Sequence, residues 1–113
     1  MLFRSSTEFK HGPLSAVSDG FPIVFAAGPQ DTNLIISGIN EVNVRGARTI
    51  VIGEEDARLR ANADDLIVIP ESGPYISALL AVLPLQLLSY HMSVMRGYDP
   101  DFPRNLSKTL TVD

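Results

Sequence analysis

The chain has 113 residues, 45% hydrophobic and 19% charged, which fits one domain with material for a core and excludes a disordered polyelectrolyte. Thirteen acidic and nine basic residues leave a net charge of -4. The basic residues are scattered rather than gathered into a stripe, which argues against a nucleic-acid partner. The absence of cysteine excludes disulfides, thiol catalysis and thiolate metal sites.

In chain order, Ser5 and Glu8 have capping-box spacing and predict a short helix or turn. Gly12-Pro13 predicts a break around 10–13, with one further helical turn over 14–17. The run 22–27 (PIVFAA) is apolar without alternation and predicts a strand buried on both faces. Asp31 is placed to cap a helix whose inner face carries Ile35, Ile39 and Val42, with Gly46 at its end. Residues 49–52 (TIVI) predict a second buried strand, and 54–61 one or two helical turns. Residues 65–69 (DLIVI) predict a third strand, stopped by Pro70.

A long helix is predicted over 74–96, ended by Gly97, with an irregular tail over 97–113. Its stretch 76–94 is nearly long enough to span a bilayer. Pro84, Gln86, Ser89, Tyr90 and His91 interrupt it, so it reads as a helix of a core or a dimer interface and not of a membrane. Strands alternating with helices predict an α/β fold of three layers, α/β/α, with a mainly parallel sheet.

Two stretches carry a family likeness. One is Thr7-Glu8-Phe9-Lys10-His11-Gly12-Pro13-Leu14. The other runs from Pro84-Leu85-Gln86-Leu87-Leu88-Ser89-Tyr90-His91 to the tail Pro103-Arg104-Asn105-Leu106-Ser107-Lys108-Thr109-Leu110-Thr111-Val112-Asp113. In this order they resemble the isomerase end of the glucosamine-6-phosphate synthase family (glutamine:fructose-6-phosphate amidotransferases) and its deaminase and isomerase siblings. The resemblance implies a partial sugar-isomerase (SIS), flavodoxin-like domain: residues 1–113 as the C-terminal part of one such domain, with 97–113 as a tail over the active site. It implies a sugar-phosphate substrate of the fructose 6-phosphate or glucosamine 6-phosphate type, and a cytoplasmic setting. By the same resemblance His11 assists ring opening and reaches the neighbouring subunit's site. Lys108 approaches the open-chain carbonyl, and Arg104, Asn105 and Ser107 contact substrate.

The family's phosphate-holding Ser/Thr loop and its proton-transferring glutamate precede the matched region. The expected reading is therefore part of an enzyme, completed by a missing N-terminal lobe, with a homodimer as the expected assembly. A non-catalytic sugar-phosphate-binding module and a truncated frame remain the alternatives.

The residues suit that chemistry on their own terms. A histidine titrates near neutral pH, as ring opening requires, and Gly12-Pro13 would hold it on a bend. A lysine becomes nucleophilic when a nearby cation such as Arg104 lowers its pKa. Glu8 reads as structural, His91 as a core or interface histidine, and Glu54-Glu55-Asp56 as a solvated helix start. Two distant histidines and no cysteine predict no metal, and the lack of a GxGxxG or Walker pattern predicts no cofactor.

Overall fold

A computed structural model describes residues 8–102 of the chain. Three strands, β1 (Pro22–Ala26), β2 (Arg48–Gly53) and β3 (Asp65–Val68), form a parallel sheet in the order β1-β2-β3. Phe25 lies opposite Val51, and Val51 opposite Leu66, so the inner residues align across the sheet. Between the strands run α1 (Thr32–Asn43) and α2 (Ala57–Asn62), and α3 (Pro74–Met95) follows β3.

Side chains alternate across a strand, so β1 and β2 each serve two cores, while β3 contributes Leu66 to one of them. On one face Ile35 and Ile39 of α1 and Leu59 of α2 pack with Ala27 and Val51, flanked by Phe25 and Leu66. On the other, Ile52 and Ile69 pack with Ala81 of α3, flanked by Val24, Leu80 and Leu85. These are the three layers expected from the alternation of strands and helices. Ile35, Ile39 and Val42 are all buried, as their spacing predicts.

The helix ends have local causes. Gly46 takes φ 78°, the Gly46 N–H donates to Asn43 O at 2.9 Å, and the Ala47 N–H reaches Val42 O at 3.3 Å. That pattern is a Schellman stop, and Val42 and Ala47 bury its hydrophobic contact. Gly97, at φ 76°, ends α3 in the same way, with the Tyr98 N–H donating to Ser93 O at 2.9 Å. Asp56 caps α2 by accepting from the N–H groups of Arg58 and Leu59 at 2.8 and 3.4 Å. Asp31 occupies the predicted cap position of α1 but makes no capping bond. Its carboxylate instead lies over Gly28, where a Cβ would come within 2.6 Å of Asp31 Oδ2.

The predicted break at 10–13 is more ordered than expected. Two 3₁₀ turns, Phe9–His11 and Pro13–Ala16, flank Gly12 at φ 156°. Glu8 precedes the first turn without a side-chain cap bond; its proposed capping partner Ser5 lies outside the described residues.

A clasp joins β2 to the start of β3. Asp64 Oδ2 accepts from the Thr49 N–H at 2.7 Å and from Thr49 Oγ1 at 3.1 Å, while the Asp64 N–H donates to Thr49 O at 3.1 Å. Thr49 itself is fully buried. The bond from the Thr49 N–H, helped by its hydroxyl, holds the Asp64 carboxyl below the usual carboxylate range.

Of the two settings expected for α3, a core or a dimer interface, the core of this chain accounts for only a small part of the helix. Among its residues only Ser77 and Ala81 are buried, while Tyr75, Leu79, Leu83, Leu87 and Met95 are more than half exposed. By length and composition this helix could cross a membrane. One side of it nevertheless covers the sheet through Ala81, Leu80 and Leu85.

Two outcomes follow. Ile39→Ala should lower unfolding free energy by about 2–5 kcal/mol in urea denaturation, because its site is closed on all sides. Asp64→Asn should be destabilising at pH 7. A depressed folded pKa gives stability that is present above the unfolded value and lost as pH falls through the folded one. The gap in urea midpoint between wild type and Asp64→Asn should therefore hold above about pH 5 and close as pH falls through the ordinary carboxylate range and below it, where the lowered folded-state carboxyl takes up its proton.

Candidate functional site

His11 ends the first 3₁₀ turn, one residue before Gly12. Its backbone N–H donates to Glu8 O at 3.2 Å, and Ser15 fastens the next turn by donating from Oγ to Gly12 O at 2.7 Å. Gly12 at φ 156° reverses the chain where a side chain would be strained, so the imidazole is carried on a tight bend. The ring is exposed, and among the described residues it makes no hydrogen bond, ion pair or ring contact. Its neighbour Lys10 is held: Nζ lies 2.5 Å from Glu41 Oε1 on α1.

Lys108, Arg104, Asn105 and Ser107 lie outside the described residues, so His11 is the one predicted site residue with a described position.

The carboxyl ends of the strands, where open α/β sheets bind ligands, hold a crevice of about 380 Å³. The loop from Gly28 to Asp31 forms one wall, and Pro74, Ser77, Ala81 and Leu85 of α3 form the other. After β2, Glu54 Oε1 accepts from the Ser72 N–H at 3.0 Å and ties the β2 exit to the loop before α3.

The acidic run thus divides three ways. Glu54 holds a loop, Glu55 pairs with Arg60 at 2.6 Å, and Asp56 caps α2 while pairing with Arg58 at 2.9 Å. The hydrogen bond from Arg60 lowers the Glu55 pKa, and that from Arg58 lowers the Asp56 pKa. Among the described residues no three His, Asp or Glu side chains are placed to hold a metal. His91 stands on an exposed part of α3 against Tyr90, ring centroids 5.4 Å apart at 77°, and is not a core histidine within this chain.

Sequence reasoning missed the Lys10–Glu41 pair and the Glu54 strap. Each joins residues at least 18 positions apart, and neither carries a local pattern that marks its partner.

Comparison with known proteins gives concordant results. The SIS domain family matches residues 2–96. The glutamine–fructose-6-phosphate aminotransferase [isomerizing] of Methanothermobacter thermautotrophicus is 48% identical over 109 residues, covering 94% of this chain and 18% of the relative. That of Thermococcus kodakarensis is 42% identical over 111 residues, covering 96% and 18%. Among solved structures, the C-terminal domain of glucosamine-fructose-6-phosphate aminotransferase from Francisella tularensis superposes with a TM-score of 0.74 at 31% identity. That superposition covers 83% of this chain and 27% of the solved one. The chain therefore spans about a fifth of the length of the curated relatives it matches.

Proposed function

The chain belongs to the SIS domain family, and we propose that it forms part of a sugar-phosphate isomerase and aminotransferase of amino-sugar biosynthesis, acting on fructose 6-phosphate or glucosamine 6-phosphate. The observation that carries this reading is the 48% identity to an isomerizing aminotransferase along nearly the whole chain. The geometry agrees with it: His11 stands exposed on a tight bend, with its imidazole uncommitted to the described fold.

In this proposal His11 moves the proton of ring opening as a general acid and base. Lys108 engages the open-chain carbonyl, and Arg104, Asn105 and Ser107 contact the sugar. Residues 97–113 cover the site once substrate is in place. Phosphate anchoring and the C1–C2 proton shift fall to groups supplied by a further lobe. The exposed flank of α3 meets that lobe or a second copy of this chain, in a cytoplasmic assembly without nucleic acid or membrane.

A second reading, a sugar-phosphate-binding module without turnover, is favoured by one feature. The chain covers 18% of the isomerizing aminotransferase it matches, so the matched stretch holds part of such a site and not the whole of it.

A chimera separates the two. This chain would replace the matching stretch of the Methanothermobacter relative, and glucosamine 6-phosphate formation would be followed. Activity is expected, falling by about 10²-fold or more in His11→Ala and in Lys108→Ala, the scale of general acid–base catalysis. Full activity in either variant removes the role given to that residue. Binding of fructose 6-phosphate without turnover in the unsubstituted chimera supports the module instead.

Sedimentation velocity of the 113-residue chain at micromolar concentration should show a dimer or larger species. A monomer throughout that range would remove a second copy as the cover of α3.

A further inference from the structure

Among the described residues, the segment that carries His11 has few polar ties to the sheet. Its backbone hydrogen bonds are local: His11 to Glu8, Ser15 to Gly12 and Val17 to Leu14. Among the described residues, the first backbone tie to the body comes at Gly20, whose N–H donates to Gly46 O at 2.7 Å. Upstream of that point, the ion pair between Lys10 Nζ and Glu41 Oε1 is the one polar side-chain link from the segment to the helical layer among the described residues. Its two members are unequal. The Lys10 side chain is 54% exposed and that of Glu41 27%, so the carboxylate is the fixed post and the lysine the movable arm.

Glu41 is a firm post for a structural reason. It precedes Val42, which is fully buried, and lies two positions after Ile39, also fully buried, so the end of α1 is pinned to the sheet. The Glu41 carbonyl in turn accepts from Arg45 Nη1 at 2.8 Å. Lys10 and His11 are consecutive in one 3₁₀ turn, so fixing Lys10 limits where the imidazole can go.

We propose that Glu41 is a positioning residue for His11, acting through Lys10 to hold the 3₁₀ turn against α1. The inference rests on the role given to His11 above. A half-exposed pair adds little to global stability, so its removal should change geometry more than folding. The expected consequence of Glu41→Gln is an unchanged melting temperature with a looser segment 8–17 and a less well-placed imidazole.

Two measurements test it. Hydrogen–deuterium exchange on the full chain, wild type against Glu41→Gln, should show faster exchange confined to 8–17; unchanged exchange there overturns the proposal. In the active chimera, Glu41→Gln should lower kcat about three- to fivefold with little change in KM. The double reversal Lys10→Glu with Glu41→Lys should recover most of the loss. In a His11→Ala background Glu41→Gln should have no further effect, because residues acting as a unit are not additive. An equal loss with and without His11, or no loss with His11 present, overturns the positioning role. Should His11→Ala itself prove fully active, the role of the histidine falls, and the exchange experiment still decides whether Glu41 anchors the turn.

Discussion

The fold depends on a central strand that must be dry on both sides. Val51 and Ile52, adjacent in β2, are both fully buried, and adjacent strand residues point to opposite faces. A helix has to cover each face. On the Val51 side α1 and α2 bring Ile35, Ile39 and Leu59; on the Ile52 side α3 brings Ala81 with Leu80 and Leu85. Parallel pairing follows, because a chain that places a helix between successive strands returns to the same end of the sheet each time. The loops after β1, β2 and β3 therefore gather at one edge, where the crevice and the Glu54–Ser72 tie are found.

Much of this was legible in the amino-acid order, for reasons of period and punctuation. Apolar runs without alternation marked the strands: Thr49-Ile50-Val51-Ile52 lies in the central strand, buried on both faces, whereas Ile23-Val24-Phe25, expected to be buried likewise, is only half-buried because β1 is at the sheet edge. The 3.6-residue spacing of Ile35, Ile39 and Val42 identified the inner side of α1. Glycine marked the stops at 46 and 97, since both take a positive φ that other residues avoid. Asp31 was placed correctly, yet its carboxylate turned away from the helix; whether a cap residue bonds forward or folds back depends on space, and Gly28 supplied the space.

The candidate site was less legible, because its parts are distant in sequence. His11 stood out through the Gly-Pro bend and the family likeness. Glu41 gave no signal: it is one acid on a helix that already has a clear hydrophobic face, and its partner lies 31 positions earlier on a turn predicted to be irregular. The Thr49–Asp64 clasp escaped for the same reason. A threonine in a strand reads as a β-former, and nothing local says that its hydroxyl and N–H share one carboxylate. Long-range polar pairs of this kind depend on the tertiary fold, whereas hydrophobic period is written locally.

The contact of α3 with the sheet sets a measure for whatever lies beyond it. Its two buried positions, Ser77 and Ala81, are small and one turn apart, so the helix backbone sits close against the sheet while its large side chains splay outward. Twenty-two residues extend about 33 Å at the helical rise. A short loop could shield only a fraction of that length. A surface that matched the whole of it would have to be a rod of similar reach, presenting grooves to Leu79, Leu83 and Leu87 in succession. The protein thus carries a gauge, and only elements of a particular length and texture would fit along it.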